Sequence, residues 1–196
     1  MDILLPPSGT GPGVLVAHPW WGLNRIIRDY GAALAEQGFV VALPDLFGGD
    51  VTTSIEVAET QIRKHWETAN PLLDAALDQL GEHRAVTGNG LGAVGFSFGG
   101  FHLLEMIDRG DTRLARLVVY YATHPIPAQH VPIMAHLASD DPYESEADMD
   151  ALAANIGEAA YTYLGTKHWF AEADRPEYNA AAAALAFDRT IAFLRG

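Results

Sequence analysis

The chain has 196 residues, of which 49% are hydrophobic and 19% charged, and its formal net charge is −13 at pH 7. The length predicts one domain spanning residues 1–196, with a composition ordinary for a soluble globular enzyme. This acidity argues against nucleic-acid and anionic-membrane partners, because binding to phosphate depends on lysine and arginine. Cysteine is absent, which excludes disulfides, thiolate metal sites and a cysteine nucleophile.

The N-terminal segment has neither the basic region nor the long apolar stretch of a signal peptide. It reads Met1-Asp2-Ile3-Leu4-Leu5-Pro6-Pro7. The longest apolar runs, such as Leu117–Ala122, are far too short to cross a bilayer. We therefore expect a cytoplasmic protein.

Short apolar runs recur along the chain and predict β-strands. They are continuous rather than alternating, as expected for strands that are covered on both faces. The predicted strands are Gly13–Ala17, Phe39–Ala42, Leu91–Phe96, Leu117–Tyr121, Ile133–Leu137 and Ala160–Leu164.

Segments with helical periodicity separate these runs, and capping residues, prolines or glycines mark their ends. The alternation of strand and helix predicts an α/β fold with a mostly parallel sheet and helices on both faces. In such sheets the active site lies at the carboxyl ends of the strands. The expected signals are Asn24 and Gly38 around the first helix, Thr53 and Glu56 before the second, Asn70-Pro71 and Gly81 around a third, and Pro176 in the first turn of the last.

Glycines flank a serine in the stretch Gly95–Gly100, directly after a predicted strand. A strand that enters a tight turn with small residues, followed by a helix, is the setting of a nucleophile elbow. A serine there is presented at the top of the sheet, above the N-terminus of a helix. Ser97 is therefore the candidate nucleophile.

A serine nucleophile needs a base, and the base needs a carboxylate to orient its ring. Asp140 and Asp141 follow one later strand, and His168 follows the next. The order serine, aspartate, histidine is that of α/β-hydrolases. Adjacent side chains point apart, so only one aspartate can reach the imidazole. We favour Asp141 over Asp140, because Pro142 would help to fix the Asp141 backbone.

An oxyanion hole needs two backbone N–H groups, one of them from the residue after the nucleophile. That residue is Phe98, and the second donor is expected in the loop after the first strand. Pro19 has no N–H, so Trp20 is the predicted donor. Trp20 and Trp21 would also wall an apolar pocket, or alternatively only pack under a helix.

These stretches together resemble the dienelactone hydrolase family over nearly the whole chain. The resemblance implies a compact α/β-hydrolase without a large cap domain, acting on esters or lactones with no metal or organic cofactor. It also supports Asp141. The stretches that carry it are His18-Pro19-Trp20-Trp21-Gly22-Leu23-Asn24, Gly38–Gly49 with its Pro44-Asp45-Leu46-Phe47, the turn Gly95–Gly100, Asp141-Pro142-Tyr143 and His168-Trp169-Phe170.

The chain departs from this family at three points. The nucleophile is Ser97 rather than cysteine, and Pro19 replaces a glutamate that manages the thiol's proton, so these two changes fit each other. Glu172 stands where the resemblance places one of the arginines that hold the substrate's carboxylate, and only Arg63 could replace the other. We therefore doubt a dienelactone substrate more than the reaction type. The predicted pocket residues are Trp21, Arg63, Trp66 and Trp169.

The sequence thus predicts a serine hydrolase that cleaves a small-molecule carboxylic ester or lactone through an acyl-enzyme. Two alternatives stay open: a thioesterase or acyltransferase with the same triad, and a non-catalytic ligand-binding protein on a hydrolase scaffold. Metal-dependent hydrolysis is disfavoured, because the His124/His130 pair is only a weak zinc signal. The sequence leaves open whether the protein is a monomer or a homodimer, and whether Phe47–Thr53 moves as a lid.

Overall fold

A computed structural model describes residues 1–126 and 131–196 of the chain. Its strands are β1 (Asp2–Leu4), β2 (Gly13–Ala17), β3 (Val40–Leu43), β4 (Leu91–Phe96), β5 (Leu114–Tyr120), β6 (Ile133–Ala138) and β7 (Ala160–Tyr163). They form one seven-stranded sheet in the order β1-β3-β2-β4-β5-β6-β7. Only the edge pair β1–β3 is antiparallel among the strand pairs of the described residues. The prediction of a mostly parallel sheet is confirmed.

Within the described residues, five α-helices cover the two faces of this sheet. They are α1 (Arg25–Glu36), α2 (Ile55–Gly81), α3 (Phe98–Asp108), α4 (Glu146–Ile156) and α5 (Ala180–Arg195). Right-handed crossovers place α1 on the face opposite α2 and α3, because the chain reverses direction along the sheet after β3. Ring contacts agree with this arrangement: Tyr30 of α1 packs on Phe187 of α5, and Trp66 of α2 packs on Phe101 of α3.

The second helix differs from the prediction, which expected a new helix at Asn70-Pro71. In the structure α2 runs unbroken from Ile55 to Gly81 with Pro71 inside it. Proline removes one N–H and crowds the carbonyl four residues earlier, here that of Glu67. Pro71 lies on the exposed side of α2, while Leu73 and Leu77 on the other side are fully buried. Burial of the apolar face therefore carries the helix through the proline.

Two helix starts are also displaced from their predicted positions. The cap of α2 is Ser54, whose hydroxyl accepts a hydrogen bond from Val57 N, rather than the predicted Thr53. The last helix begins at Ala180 under an Asn179 cap, so Pro176 lies in the turn before it and not in its first turn. In both places a side-chain oxygen that reaches the N3 amide decides the start of the helix.

Three further differences concern strands and helices that the sequence pattern missed or shortened. The three-residue strand β1 is too short to show a period, and β5 begins three residues before the predicted Leu117. The helix α4 has only one buried residue, Leu152, so its apolar period is weak.

No helix in the described ranges is both long enough and apolar enough to cross a membrane.

Candidate active site

The turn between β4 and α3 holds Ser97 in an uncommon backbone conformation. Its φ is +45° and its ψ is −113°. A residue with a side chain occupies such a region at a cost of about 1–3 kcal/mol, and does so only where its surroundings impose it. Here the Ser97 N–H donates to Tyr120 O at 2.9 Å, which ties the turn to the end of β5.

The glycines around Ser97 are required by close backbone approach. A Cβ on Gly95 would lie 2.5 Å from Gly100 Cα, and one on Gly99 would lie 2.6 Å from Ala17 O. A Cβ on Gly100 would lie 2.7 Å from Ala122 Cβ. Real Cβ atoms do not approach backbone this closely, so the elbow between strand and helix closes only with glycine at these positions.

Three side chains from three different strand ends form a hydrogen-bonded chain. Ser97 Oγ lies 2.9 Å from His168 Nε2, and His168 Nδ1 lies 2.8 Å from Asp141 Oδ2. Because an ionised carboxylate only accepts, Asp141 holds the proton on Nδ1 and leaves Nε2 free to accept the serine proton. This arrangement can deprotonate a serine during attack on a carbonyl.

The structure brings Asp141, and not Asp140, to His168. The Asp141 side chain is fully buried, and its Oδ1 also accepts from the backbone N–H groups of Tyr143 and Glu144. Asp140 points away, with its side chain 75% exposed and 3.6 Å from Lys167 Nζ. The first residue of the pair faces solvent and the second faces the site.

Aromatic rings fix the position of the His168 ring. Tyr121 and Tyr143 pack against it with ring centroids 4.8 and 5.0 Å away. The Tyr121 hydroxyl in turn donates to Glu172 Oε1 at 2.8 Å. Glu172 is fully buried, and this burial raises its pKa to about 8. The residue at the expected arginine position therefore lies behind the histidine rather than in contact with solvent.

Two residues that line the cavity, Trp20 and Phe98, carry the backbone N–H groups that the sequence predicts for an oxyanion hole. Phe98 is the first residue of α3, so its N–H has no acceptor within the helix. The N–H of Trp20 likewise has no acceptor within residues 1–126 and 131–196. Their role as an oxyanion hole stays a prediction.

A buried histidine, His18, braces the loop that carries Trp20. Its Nδ1 donates to Pro19 O at 2.7 Å, and its Nε2 accepts from Leu46 N at 3.0 Å. Burial lowers the pKa of His18 to about 4. The ring is therefore neutral at pH 7, as one donor and one acceptor nitrogen require. In the sequence, His18 stands out only as part of the His18–Asn24 stretch, which does not indicate this role.

A cavity of about 180 Å³ opens beside Ser97 and His168. Of the predicted pocket residues, Trp66 and Trp169 line this cavity, but Trp21 and Arg63 do not. Trp21 is buried and packs under the Arg175 guanidinium at 4.4 Å, while Arg63 is exposed on α2 and donates to Thr60. The full lining is Trp20, Ile62, Trp66, Ser97, Phe98, Phe101, Tyr143, Glu144, His168 and Trp169.

Tyr143 and Glu144 line the cavity but were not singled out as pocket residues. Tyr143 belongs to the Asp141-Pro142-Tyr143 stretch, which could have indicated its nearness to the site. Nothing around Glu144 in the sequence indicates that it reaches the cavity. The turn after Asp141 determines the position of Glu144. In this turn the Glu144 N–H donates to the Asp141 carboxylate at 3.1 Å.

The segment Phe47–Thr53 is attached to the site at both ends. Phe47 is fully buried against His18 and Phe98, with ring centroids 4.9 and 5.2 Å away. Thr52 N donates to Trp21 O at 3.1 Å. Between these contacts Gly48 and Gly49 are exposed and have positive φ. Movement of this segment as a lid stays a prediction.

The described residues contain no group of three or more histidine, cysteine, aspartate or glutamate side chains that could hold a metal ion. Of the weak histidine pair, His124 lies 3.5 Å from Asp108, and His130 is outside the described residues.

Comparisons with known proteins agree on one family. The profile of the dienelactone hydrolase family matches residues 3–196. Protein usf of Aquifex pyrophilus is 26% identical over 96% of this chain and 90% of its own length. A carboxymethylenebutenolidase of Pseudomonas putida is 24% identical over 96% of this chain and 87% of its own length. A solved structure described as a dienelactone hydrolase-like promiscuous phosphotriesterase from metagenomic libraries superposes with a TM-score of 0.84 at 21% identity, covering 98% of this chain and 90% of that one.

Proposed function

Because the chain belongs to the dienelactone hydrolase family, we propose that it is a serine hydrolase that cleaves small carboxylic esters or lactones through an acyl-enzyme. The observation that carries this proposal is the chain of hydrogen bonds from Ser97 through His168 to the buried Asp141. It lies at the carboxyl ends of the strands, beside a cavity for a small acyl or alcohol group.

Each member of this hydrogen-bonded triad has a defined role in the proposed reaction. His168 Nε2 takes the proton of Ser97 Oγ as that oxygen attacks the ester carbonyl. The developing oxyanion accepts from the N–H groups of Phe98 and Trp20, each worth about 3 kcal/mol of barrier lowering. His168 then gives the proton to the leaving alcohol, and afterwards it activates water to hydrolyse the acyl-enzyme. Asp141 holds the imidazole in the required tautomer throughout.

Two alternative functions remain to be separated from this proposal. One differs in the leaving group or the acyl acceptor, and the other has no catalytic activity. A thioesterase or acyltransferase would use the same triad with another leaving group or acceptor. Comparison of a butyryl oxyester with the matching butyryl thioester, with and without an added alcohol, separates these reactions. A ligand-binding protein would turn over none of them.

The adjacent aspartates supply a matched test. Asp141→Asn keeps an oxygen for the N–H groups of Tyr143 and Glu144 but no longer holds His168 in the correct tautomer. We expect kcat for 4-nitrophenyl butyrate to fall by about 10⁴, as in a comparable triad. Asp140→Asn, which removes an exposed carboxylate one residue away, should stay within about twofold of the parent. Equal activity of both variants would refute the proposal.

The cytoplasmic location, the single domain over residues 1–196 and the choice between monomer and homodimer stay predictions. None of the steps above uses a cofactor or a second subunit.

A further inference from the structure

Glu144 brings a carboxyl group to the cavity that the proposed reaction does not use. It lies in the turn after β6, and it lines both the cavity with Ser97 and His168 and the adjoining acidic cleft. Its backbone N–H is held by Asp141, and its Oε2 accepts a hydrogen bond from the Thr123 hydroxyl. Asp141 therefore holds the backbone of Glu144, and Thr123 holds its carboxyl group.

Among the described residues, no lysine or arginine lines this cavity to balance the charge of Glu144. Burial raises the pKa of Glu144 to about 7. The charges of Asp141 and Asp148 also raise this pKa, whereas the hydrogen bond from Thr123 lowers it. A cation bound beside the carboxyl would favour its ionised form. The charged and titratable groups around it are Asp141 and Asp148, then Asp140, Glu146 and Asp150 along the adjoining cleft, and His168 and Tyr143 in the cavity.

The remaining walls are largely aromatic. Trp20, Trp66, Trp169, Tyr143 and two phenylalanines line the cavity, and aromatic faces attract cations, most strongly those of tryptophan. The indole N–H groups of Trp20 and Trp169 are buried away from solvent, so the solvent-accessible parts of these two rings are apolar. The cavity of about 180 Å³ is comparable to one of about 150 Å³ that holds benzene, so a small alkylammonium group fits.

We propose that this pocket selects esters that carry an alkylammonium group close to the ester bond, and that Glu144 is the residue that determines this preference. The inference rests on the proposed serine hydrolase function and names its substrate class. A substrate with a free carboxylate near the ester would meet Glu144 with Asp141 behind it, and like charges in such a site disfavour binding. The formal net charge of −13 also favours the approach of cations over anions.

Two esters of equal shape test this preference. Acetylcholine and 3,3-dimethylbutyl acetate differ in that a quaternary nitrogen replaces a quaternary carbon. At pH 8 we expect the parent protein to show a kcat/KM about tenfold higher for the cationic ester. The preference should decrease at pH 6, where Glu144 becomes protonated. An acetate ester of 3-hydroxypropanoate should be the poorest substrate.

Glu144→Gln and Glu146→Gln form a matched pair of variants. Both remove one negative charge in the same segment, but Glu146 does not line the cavity with Ser97. We expect Glu144→Gln to reduce the cationic preference to a few-fold, independent of pH, while Glu146→Gln keeps the parent's ratio. A ratio of one or less in the parent, or equal ratios in both variants, would overturn the inference.

Binding of choline and of 3,3-dimethylbutanol, measured by calorimetry, keeps this inference separate from the proposed function. Hydrolysis of the neutral ester without any preference for choline refutes the inference and leaves the serine hydrolase intact. A preference for choline that Glu144→Gln removes, with no ester hydrolysed at all, refutes the proposed function and leaves only the cation preference of the pocket. No preference in either assay refutes the inference.

Discussion

The two sides of the candidate site are built in different ways. On one side, which we call the floor, Ser97, Asp141, His168 and the glycines of the elbow are held by short contacts to the backbone of strand ends. On the other side, which we call the wall, Trp66 and Tyr143 are 43% and 46% exposed, and Glu144 is half-buried. Each residue of the floor lies in a short sequence motif at the end of a strand. The side chains of the wall belong to α2 and to the turn after β6.

This difference separates chemistry from specificity. A substitution in the floor places atoms against backbone that cannot move, so it lowers both the stability of the fold and the catalytic rate. The side chains of the wall are partly exposed to solvent, so a substitution there lowers the stability of the fold only modestly. The substrate preference of this fold can therefore change without disturbing the proposed triad.

The largest effect is expected at the elbow. Gly95→Ala would place a Cβ 2.5 Å from Gly100 Cα, and no side-chain rotation relieves a clash with backbone. We expect the free energy of unfolding to fall by at least about 3 kcal/mol, measured by urea denaturation. Gly81→Ala is the control, because its Cβ would lie 3.8 Å from Leu91 Cδ1, an ordinary contact. Equal stability of the two variants would contradict the close backbone packing of the floor.

The next effect is expected behind the floor, at Glu172, and it depends on pH. Its pKa rises from 4.5 to about 8 in the folded protein through burial, so the folded state binds the proton more tightly than the unfolded state. The stability that this proton supports is complete below about pH 4.5 and decreases as the pH rises toward 8. The slope for one proton is at most about 1.4 kcal/mol per pH unit.

Glu172→Gln removes this titration while keeping an oxygen for the Tyr121 hydroxyl. We expect the variant to gain stability over the parent steadily between pH 5 and pH 8, as measured by urea denaturation at each pH. Glu158→Gln removes an exposed carboxylate and should leave the slope unchanged. Parallel stability curves for Glu172→Gln and the parent would show that Glu172 is ionised in the folded protein.

The smallest effect on stability is expected in the wall. Trp66→Ala removes a ring that packs on Phe98, Phe101 and His102 but is 43% exposed. We expect a loss of about 1–2 kcal/mol in unfolding free energy and a several-fold rise in KM with kcat nearly unchanged. Leu72→Ala, on the same helix and 41% exposed outside the cavity lining, should leave KM unchanged. A loss of kcat in Trp66→Ala would place Trp66 with the floor.

The same difference explains what the sequence could predict. Ser97 follows an apolar run and sits between glycines, so its turn is encoded within six residues. Asp141 and His168 each follow a predicted strand, and parallel strands bring their ends to one edge of a sheet. The floor therefore follows from local motifs and sheet topology.

The rest of the cavity lining could be predicted only in part, because Trp66 and Trp169 were expected there but Glu144 was not. Trp20 and Trp21 are neighbours, and only the backbone of their loop decides that the first lines the cavity and the second packs under Arg175. Glu144 has no local signal, because its position depends on how the turn after β6 folds around Asp141. The continuous helix α2 was missed for a related reason: Pro71 is a local breaker, but tertiary burial of the opposite face overrides it.

Labelling with a fluorophosphonate tests the central claim, an activated Ser97, most directly. We expect the folded parent protein to gain the mass of one phosphonyl group, which peptide mass spectrometry assigns to Ser97. Ser97→Ala should remain unlabelled, and His168→Ala should react far more slowly, because Ser97 is then without its base. A folded parent protein that does not react, or a Ser97→Ala variant that reacts as fast as the parent, would contradict the account.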